Sequence, residues 1–135
     1  MAALTKDRAT PYREGVEVEY PVATSVKIYA GSLVCVNTGG FAVPAADTSG
    51  FRLAGVALEQ VNNATGADGD KNVRVRRQGV FEFDAASITQ AMMGDPMYAV
   101  DDHTFDDAAG PTNDVKVGVL VKYGSATKGW IDIAR

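Results

Sequence analysis

Asn72-Val73-Arg74-Val75-Arg76-Arg77-Gln78-Gly79-Val80-Phe81-Glu82-Phe83 is the stretch that decides the fold class. Side chains in a strand alternate between its two faces, so residues 72–76 predict a strand with Val73 and Val75 inward and Arg74 and Arg76 outward. Arg77 falls on the opposite face unless the chain bends at Gly79. Beyond that glycine, Val80, Phe81 and Phe83 continue the alternation less regularly.

The same habit extends in both directions. Residues 16–20, Val-Glu-Val-Glu-Tyr, alternate cleanly and stop at Pro21, which suits a half-buried strand. Residues 26–29 and the apolar run 33–36 read as further strands. Asn37-Thr38-Gly39-Gly40 supplies a tight reversal into 41–43. Residues 51–61 hold one strand or two, with Gly55 marking a bulge or a close backbone approach. Residues 62–70 form a surface loop dense in Asn, Gly and Asp. Toward the carboxyl end, 97–100 and 104–105 flank Asp101-Asp102-His103 as a hairpin, and 115–123 and 129–133 are the last strands. The one helical segment is short, from Ser87 to Met93, with Ser87 and Gln90 spaced as a capping box and Gly94-Asp95-Pro96 ending it.

Many short strands with Gly-rich connections and one weak helix predict a mostly β protein, a compact small β-barrel or β-sandwich with one short helix. Residues 1–15 are polar, lack periodicity and read as an extended amino-terminal arm. Residues 16–135 read as a single β-rich domain. At 135 residues the chain is long enough to bury roughly two-thirds of its unfolded surface.

Chemical equipment is sparse. One histidine and one cysteine do not supply a conventional metal site or catalytic cluster, so neither catalytic residues, metal ligands nor a cofactor are expected. Cys35, inside Leu33-Val34-Cys35-Val36, reads as a buried small hydrophobe. Asn63-Ala64-Thr65 matches a glycosylation sequon but reads as an ordinary loop. Residues 62–70 lack the ligand spacing of a calcium-binding loop. The apolar runs are too short to span a bilayer, residues 1–8 contain no signal-peptide core, and a net charge of −4 disfavours a general nucleic-acid surface. Neither membrane nor direct nucleic-acid contact is therefore expected.

Two clusters remain as candidates. His103 among Asp101, Asp102, Asp106 and Asp107 motivates the alternative of a small metal-dependent enzyme or binding module. Arg74, Arg76 and Arg77 read first as an ordinary solvated sheet face, next as a basic ridge suited to carboxylates on another subunit, with phosphates the weakest option. Phe81, Phe83 and Trp130 are core or subunit-contact aromatics, and Tyr12 and Tyr29 are weaker anchors. The candidate interface residues are Tyr12, Arg74, Arg76, Arg77 and Phe81.

The order of several motifs adds a family resemblance. Leu4-Thr5-Lys6-Asp7-Arg8 with Thr10-Pro11, Tyr20-Pro21-Val22-Ala23, Lys27-Ile28-Tyr29-Ala30-Gly31, Val43-Pro44-Ala45-Ala46-Asp47 and Gly55-Val56-Ala57 follow one another. The Asn62-Asn63 to Gly69 loop and the Val73-Arg74-Val75-Arg76-Arg77 to Gly79-Val80-Phe81 block complete the match. Together they resemble the capsid decoration, or head cement, proteins of Mu-like and related tailed phages and prophages. The resemblance covers about the first two-thirds of the chain, departs over 86–97 and the acidic loop after it, and is looser in the tail that holds Gly118-Val119 and Trp130-Ile131. It implies a noncatalytic protein on the outer capsid surface, a virion protein present in the host cytoplasm before assembly. It also implies a major capsid protein as partner, the bridging of its subunits to stabilise the expanded head, and a homo-oligomer, most simply a trimer.

Overall fold

The computed structural model describes residues 2–11 and 15–134. Twelve strands account for nearly all of its regular structure. Five form an open sheet: β1 (Glu17–Pro21), β3 (Leu33–Val36), β4 (Ala42–Pro44), β5 (Arg52–Ala57) and β7 (Asn72–Arg76), in the spatial order β1-β7-β5-β3-β4. Five more close into a barrel: β8 (Val80–Ala85), β9 (Pro96–Ala99), β10 (Thr104–Asp106), β11 (Lys116–Ser125) and β12 (Lys128–Asp132), ordered β10-β8-β12-β11-β9. The pair β9–β10 closes the ring, antiparallel, while β10 runs parallel to β8. A separate ribbon joins β2 (Val26–Ile28) to β6 (Val61–Asn63).

The open sheet is the middle layer. One apolar cluster packs Leu33, Cys35, Val43 and Val56 of the sheet against Phe83, Ile88, Met97, Phe105, Val117, Leu120 and Ile131 of the barrel side. A second packs Val34, Ala42, Ala54, Ala57, Val73 and Val75 with Ile28 and Val61 of the ribbon. Strand β3 therefore sends Leu33 and Cys35 one way and Val34 the other, and all three are fully buried. A strand covered on both faces needs a continuous apolar run, which explains why 33–36 lacks the alternation seen in 72–76.

The barrel does not cover the whole sheet. Val56 of β5 turns to the barrel side, and its cross-strand partner Arg76 continues that face onto β7. Opposite Arg76 and Arg74, β1 places Glu17 and Glu19. On the other face of β7, Val73 and Val75 are fully buried. The inward and outward sides of 72–76 are thus as their alternation predicts.

Two glycines permit close approach of backbones. In the β3–β5 pairing the register slips between Val34 and Cys35, and Gly55, at φ +155°, sits where an added Cβ would lie 2.3 Å from the Arg76 carbonyl oxygen. Gly118, at φ +156°, makes a similar bulge in β11, its missing Cβ pointing 2.6 Å from the Asp132 carbonyl oxygen.

The expected capped helix is corrected. Only one 3-10 turn, Gln90–Met92, forms; its N-cap is Thr89, without a side-chain cap hydrogen bond. The Ile88 side chain is buried, and its N–H donates 3.1 Å to the Ala126 carbonyl, which holds this segment against the β11–β12 turn before a helix can start. Two apolar turns are not available to an exposed helix here, because Ile88 is already committed to the core.

Candidate interaction surface

The basic ridge is positioned by β7, and its surroundings carry the carboxylates that the sequence assigned to another subunit. The Arg74 guanidinium lies 3.9 Å from Glu17 and 3.8 Å from Glu59, and its backbone N–H donates 3.2 Å to Glu59 Oε1. Arg76 faces Glu17 across the strand pair. Arg77 lies past the end of β7, where its Nη1 donates 3.5 Å to the Gly15 carbonyl and its N–H donates 2.7 Å to the Val16 carbonyl. The result is a mixed-sign face of Glu17, Glu19, Glu59, Arg74 and Arg76 rather than a purely basic one. Sequence distance hid this: Glu17 and Glu19 meet the arginines only once β1 pairs with β7.

Phe81 is half-buried against the barrel core, and its ring lies beside Gly79. Phe83 is buried. Trp130 is half-buried with Lys122 Nζ 5.8 Å from its ring centroid, a cation–π distance. Tyr29 is 54 % exposed with Lys27 Nζ 5.0 Å over its ring. Tyr12 lies outside the described residues. The remaining candidates do not converge on one point: Arg74 and Arg76 sit on β7, Phe81 on β8.

His103 is held at the tip of the β9–β10 hairpin. Its Nδ1 lies 2.9 Å from Asp102 Oδ1 and 3.0 Å from Asp101 Oδ1, and its N–H donates 2.9 Å to Asp101. The hydrogen bond to Asp102, then the charges of Asp101, Asp102 and Asp84, raise the imidazole pKa. The three residues could together offer ligand atoms to an ion. However, Nδ1 is already engaged by both carboxylates, and the ring is exposed, so the arrangement is an ordinary turn hydrogen-bond cluster in its geometry. Asp106 and Asp107 serve their own loop through Asp106 Oδ1 to the Asp107 N–H and Asp107 Oδ1 to the Ala109 N–H.

The 62–70 loop is more ordered than its composition suggested. Asn63 is 1 % exposed, and its Nδ2 donates to the carbonyls of Val22, Ala23 and Ala67 at 3.3, 2.9 and 3.0 Å. Its Oδ1 has no conventional donor, but it lies 2.0 Å from where a Gly66 Cβ would be, so the Gly66 Cα–H is turned toward it. An amide nitrogen committed three times inside the fold is no glycosylation acceptor. Cys35 is likewise structural: burial pushes its thiol pKa up to about 12.

A polar clasp joins the sheet to the barrel at Asp47. Its carboxylate accepts the N–H groups of Thr112 and Asn113, each at 2.8 Å, and the Asn113 Nδ2 donates 2.9 Å to the Asp47 carbonyl. The Thr112 and then the Asn113 N–H bonds hold the carboxyl below its ordinary pKa. A depressed folded pKa stabilises the fold above the unfolded value of about 3.9 and is lost as pH falls through the folded one. Asp47→Ala is therefore expected to lower Tm by a few degrees at pH 7, with the difference from wild type shrinking as pH falls through the depressed folded pKa. Calorimetry over a series of acid pH values checks this; a deficit that does not shrink anywhere across the acid range in which the protein stays folded would show that the clasp is not what the substitution removed.

No family model matches the chain, and neither does any curated protein sequence. Among solved structures it is similar to the N base of the head fiber gp8.5 of bacteriophage phi29. The two are 18 % identical, overlap over 87 % of this chain and 93 % of that one, and reach a TM-score of 0.47. An overlap that loose fixes neither fold nor function.

Proposed function

We propose that this chain is a noncatalytic structural protein of a tailed phage or prophage, binding the outside of the capsid, bridging major capsid subunits and stabilising the expanded head. What supports the reading is the ordered series of motifs from Leu4 to Phe81, whose order and spacing resemble those of head cement proteins. The fold is compatible with that work. Two apolar layers hold a central sheet from both sides, giving a stiff body, while the charged face of β1 and β7 and the exposed residues 2–11 are left for contacts. Repetition over a lattice turns modest individual contacts into firm retention. In this reading the protein is a homo-oligomer, with a trimer the simplest form.

The metal-dependent alternative gains little from the geometry, because Asp101, Asp102 and His103 sit on a turn where His103 Nδ1 already pairs with both carboxylates.

Purified protein added to expanded, undecorated heads of its own phage is expected to bind at a fixed copy number per lattice unit. Cryo-electron microscopy and quantitative gel densitometry measure it. Binding to tails alone, or absence from mature particles, would overturn the proposal.

A further inference from the structure

The central sheet has two edges, and they are treated differently. At β4 the segment just after β1 covers the edge: Val22 bridges to Ala42 in parallel, and the Ala23 N–H donates 3.0 Å to the Ala42 carbonyl. At β1 nothing among the described residues does so. The ladder to β7 shows which groups are left over. Val16 accepts from the Arg77 N–H and the Val22 N–H donates to Lys71, so residues 16, 18, 20 and 22 make the hydrogen-bonded pairs with β7. Glu17 and Glu19 make the non-bonded pairs, and their N–H and C=O groups therefore point away from the sheet. Pro21, lacking an N–H, ends the row. A row of unpaired backbone groups is a template for another strand.

Residues 2–11 have the matching pattern. They are exposed, belong to no strand and carry one backbone hydrogen bond, from the Thr10 N–H to the Arg8 carbonyl at 3.0 Å. Extended, they place Leu4, Lys6 and Arg8 on one face. Set antiparallel to β1, Lys6 falls opposite Glu19, Arg8 opposite Glu17 and Leu4 opposite Pro21. The carboxylate row would then lie between two basic rows, Arg74 and Arg76 on one side and Lys6 and Arg8 on the other. Leu4, 74 % exposed, would gain an apolar neighbour. Glutamates on an edge strand also discourage indiscriminate pairing; the complementary spacing of Lys6 and Arg8 singles out this arm among possible strands.

We propose that residues 4–9 of one copy add as an antiparallel strand to the open edge of β1 in a second copy, so that the chains are joined by exchanged arms. The second copy is the occupant because in the folded chain the arm stays off its own β1 although few residues separate them. The inference gives a contact to the oligomer proposed above, yet it is measured without capsids and stands or falls separately from capsid binding.

The test is sedimentation equilibrium of the full chain combined with hydrogen exchange at the Glu17 and Glu19 amides. Expected is concentration-dependent association with those two amides protected only in the associated form. Lys6→Glu with Arg8→Glu changes only exposed side chains outside the strands and should weaken association by about tenfold or more. Adding Glu17→Lys and Glu19→Lys should restore it. Deleting residues 2–10 should abolish association while circular dichroism stays that of the intact fold. A monomer at every concentration, association that survives the deletion, or amide protection independent of concentration (the arm folding back on its own strand) would each overturn the proposal.

Discussion

Gly55→Ala is expected to destabilise the fold by about 3 kcal/mol or more, far beyond the cost of an ordinary substitution. The methyl group would be placed 2.3 Å from the Arg76 carbonyl oxygen and 2.9 Å from its carbon, and both are backbone atoms inside the β5–β7 ladder. No side-chain rotation can relieve that overlap. The position also sits at φ +155°, a conformation that side chains disfavour by about 1–3 kcal/mol before any clash is counted. Separation of β5 from β7 would open the second apolar cluster, in which Ala54 and Ala57 meet Val73 and Val75. A total of about 3 kcal/mol or more is a large share of the 5–15 kcal/mol typical of a domain. Gly40→Ala is the control: it also has positive φ, +88°, but nothing within 4 Å of its missing Cβ, so it should lose only about 1–2 kcal/mol. Urea denaturation of both variants measures the contrast. Equal, small losses would mean that β5 and β7 can move apart without harm.

The readability of this fold follows from how far each signal reaches along the chain. Alternation is local, so residues 72–76 and 16–20 disclose both strands and their buried faces; Val73 and Val75 are indeed fully buried. Turn chemistry is local as well. At Asn37, Oδ1 accepts the N–H groups of Gly39 and Phe41, which makes the reversal visible in four letters. Gly55 announces both of its roles, bulge and close approach, because only a glycine tolerates them. The division into a sheet, a barrel and a ribbon is not local, and neither is closure of the barrel by the β9–β10 pair. The Ser87–Gln90 spacing misled because a capping box reports only local preference, whereas burial of Ile88 and its hydrogen bond to Ala126 are tertiary. The ridge was half legible. Its arginines and their outward face come from alternation, but the carboxylates beside them lie across a strand pairing that no spacing rule discloses. Asn63 shows the same limit in another form: in a loop of Asn, Gly and Asp, nothing local marks the one amide that folds inward.

Val75→Asp is expected to abolish folding, whereas the double reversal Arg74→Glu with Arg76→Glu should leave a folded chain. Val75 is fully buried among Val34, Ala54, Ala57, Val61 and Val73, all of them apolar. A carboxylate there finds no donor, since the N–H and C=O of Val75 are both taken up by Val18 of β1 and its neighbours across β5 are apolar. It must stay unsolvated or take up a proton, and either route costs several kcal/mol, on the order of the whole stability of a small domain. The arginines stand on the opposite side of the same strand, and the Arg74 side chain is half exposed. Reversing them sets new carboxylates beside Glu17, Glu19 and Glu59, so the fold is weakened, but water and salt screen the repulsion to about 1 kcal/mol per close pair. That loss should shrink in high salt, a dependence Val75→Asp would not share. If the face also meets a neighbouring subunit, the double reversal should reduce oligomer formation or capsid occupancy by more than its loss of Tm explains. Circular dichroism at low and high salt, read beside the oligomeric state, separates these effects. Loss of folding in both variants alike, unrelieved by salt, would contradict the assignment of buried and open faces on β7.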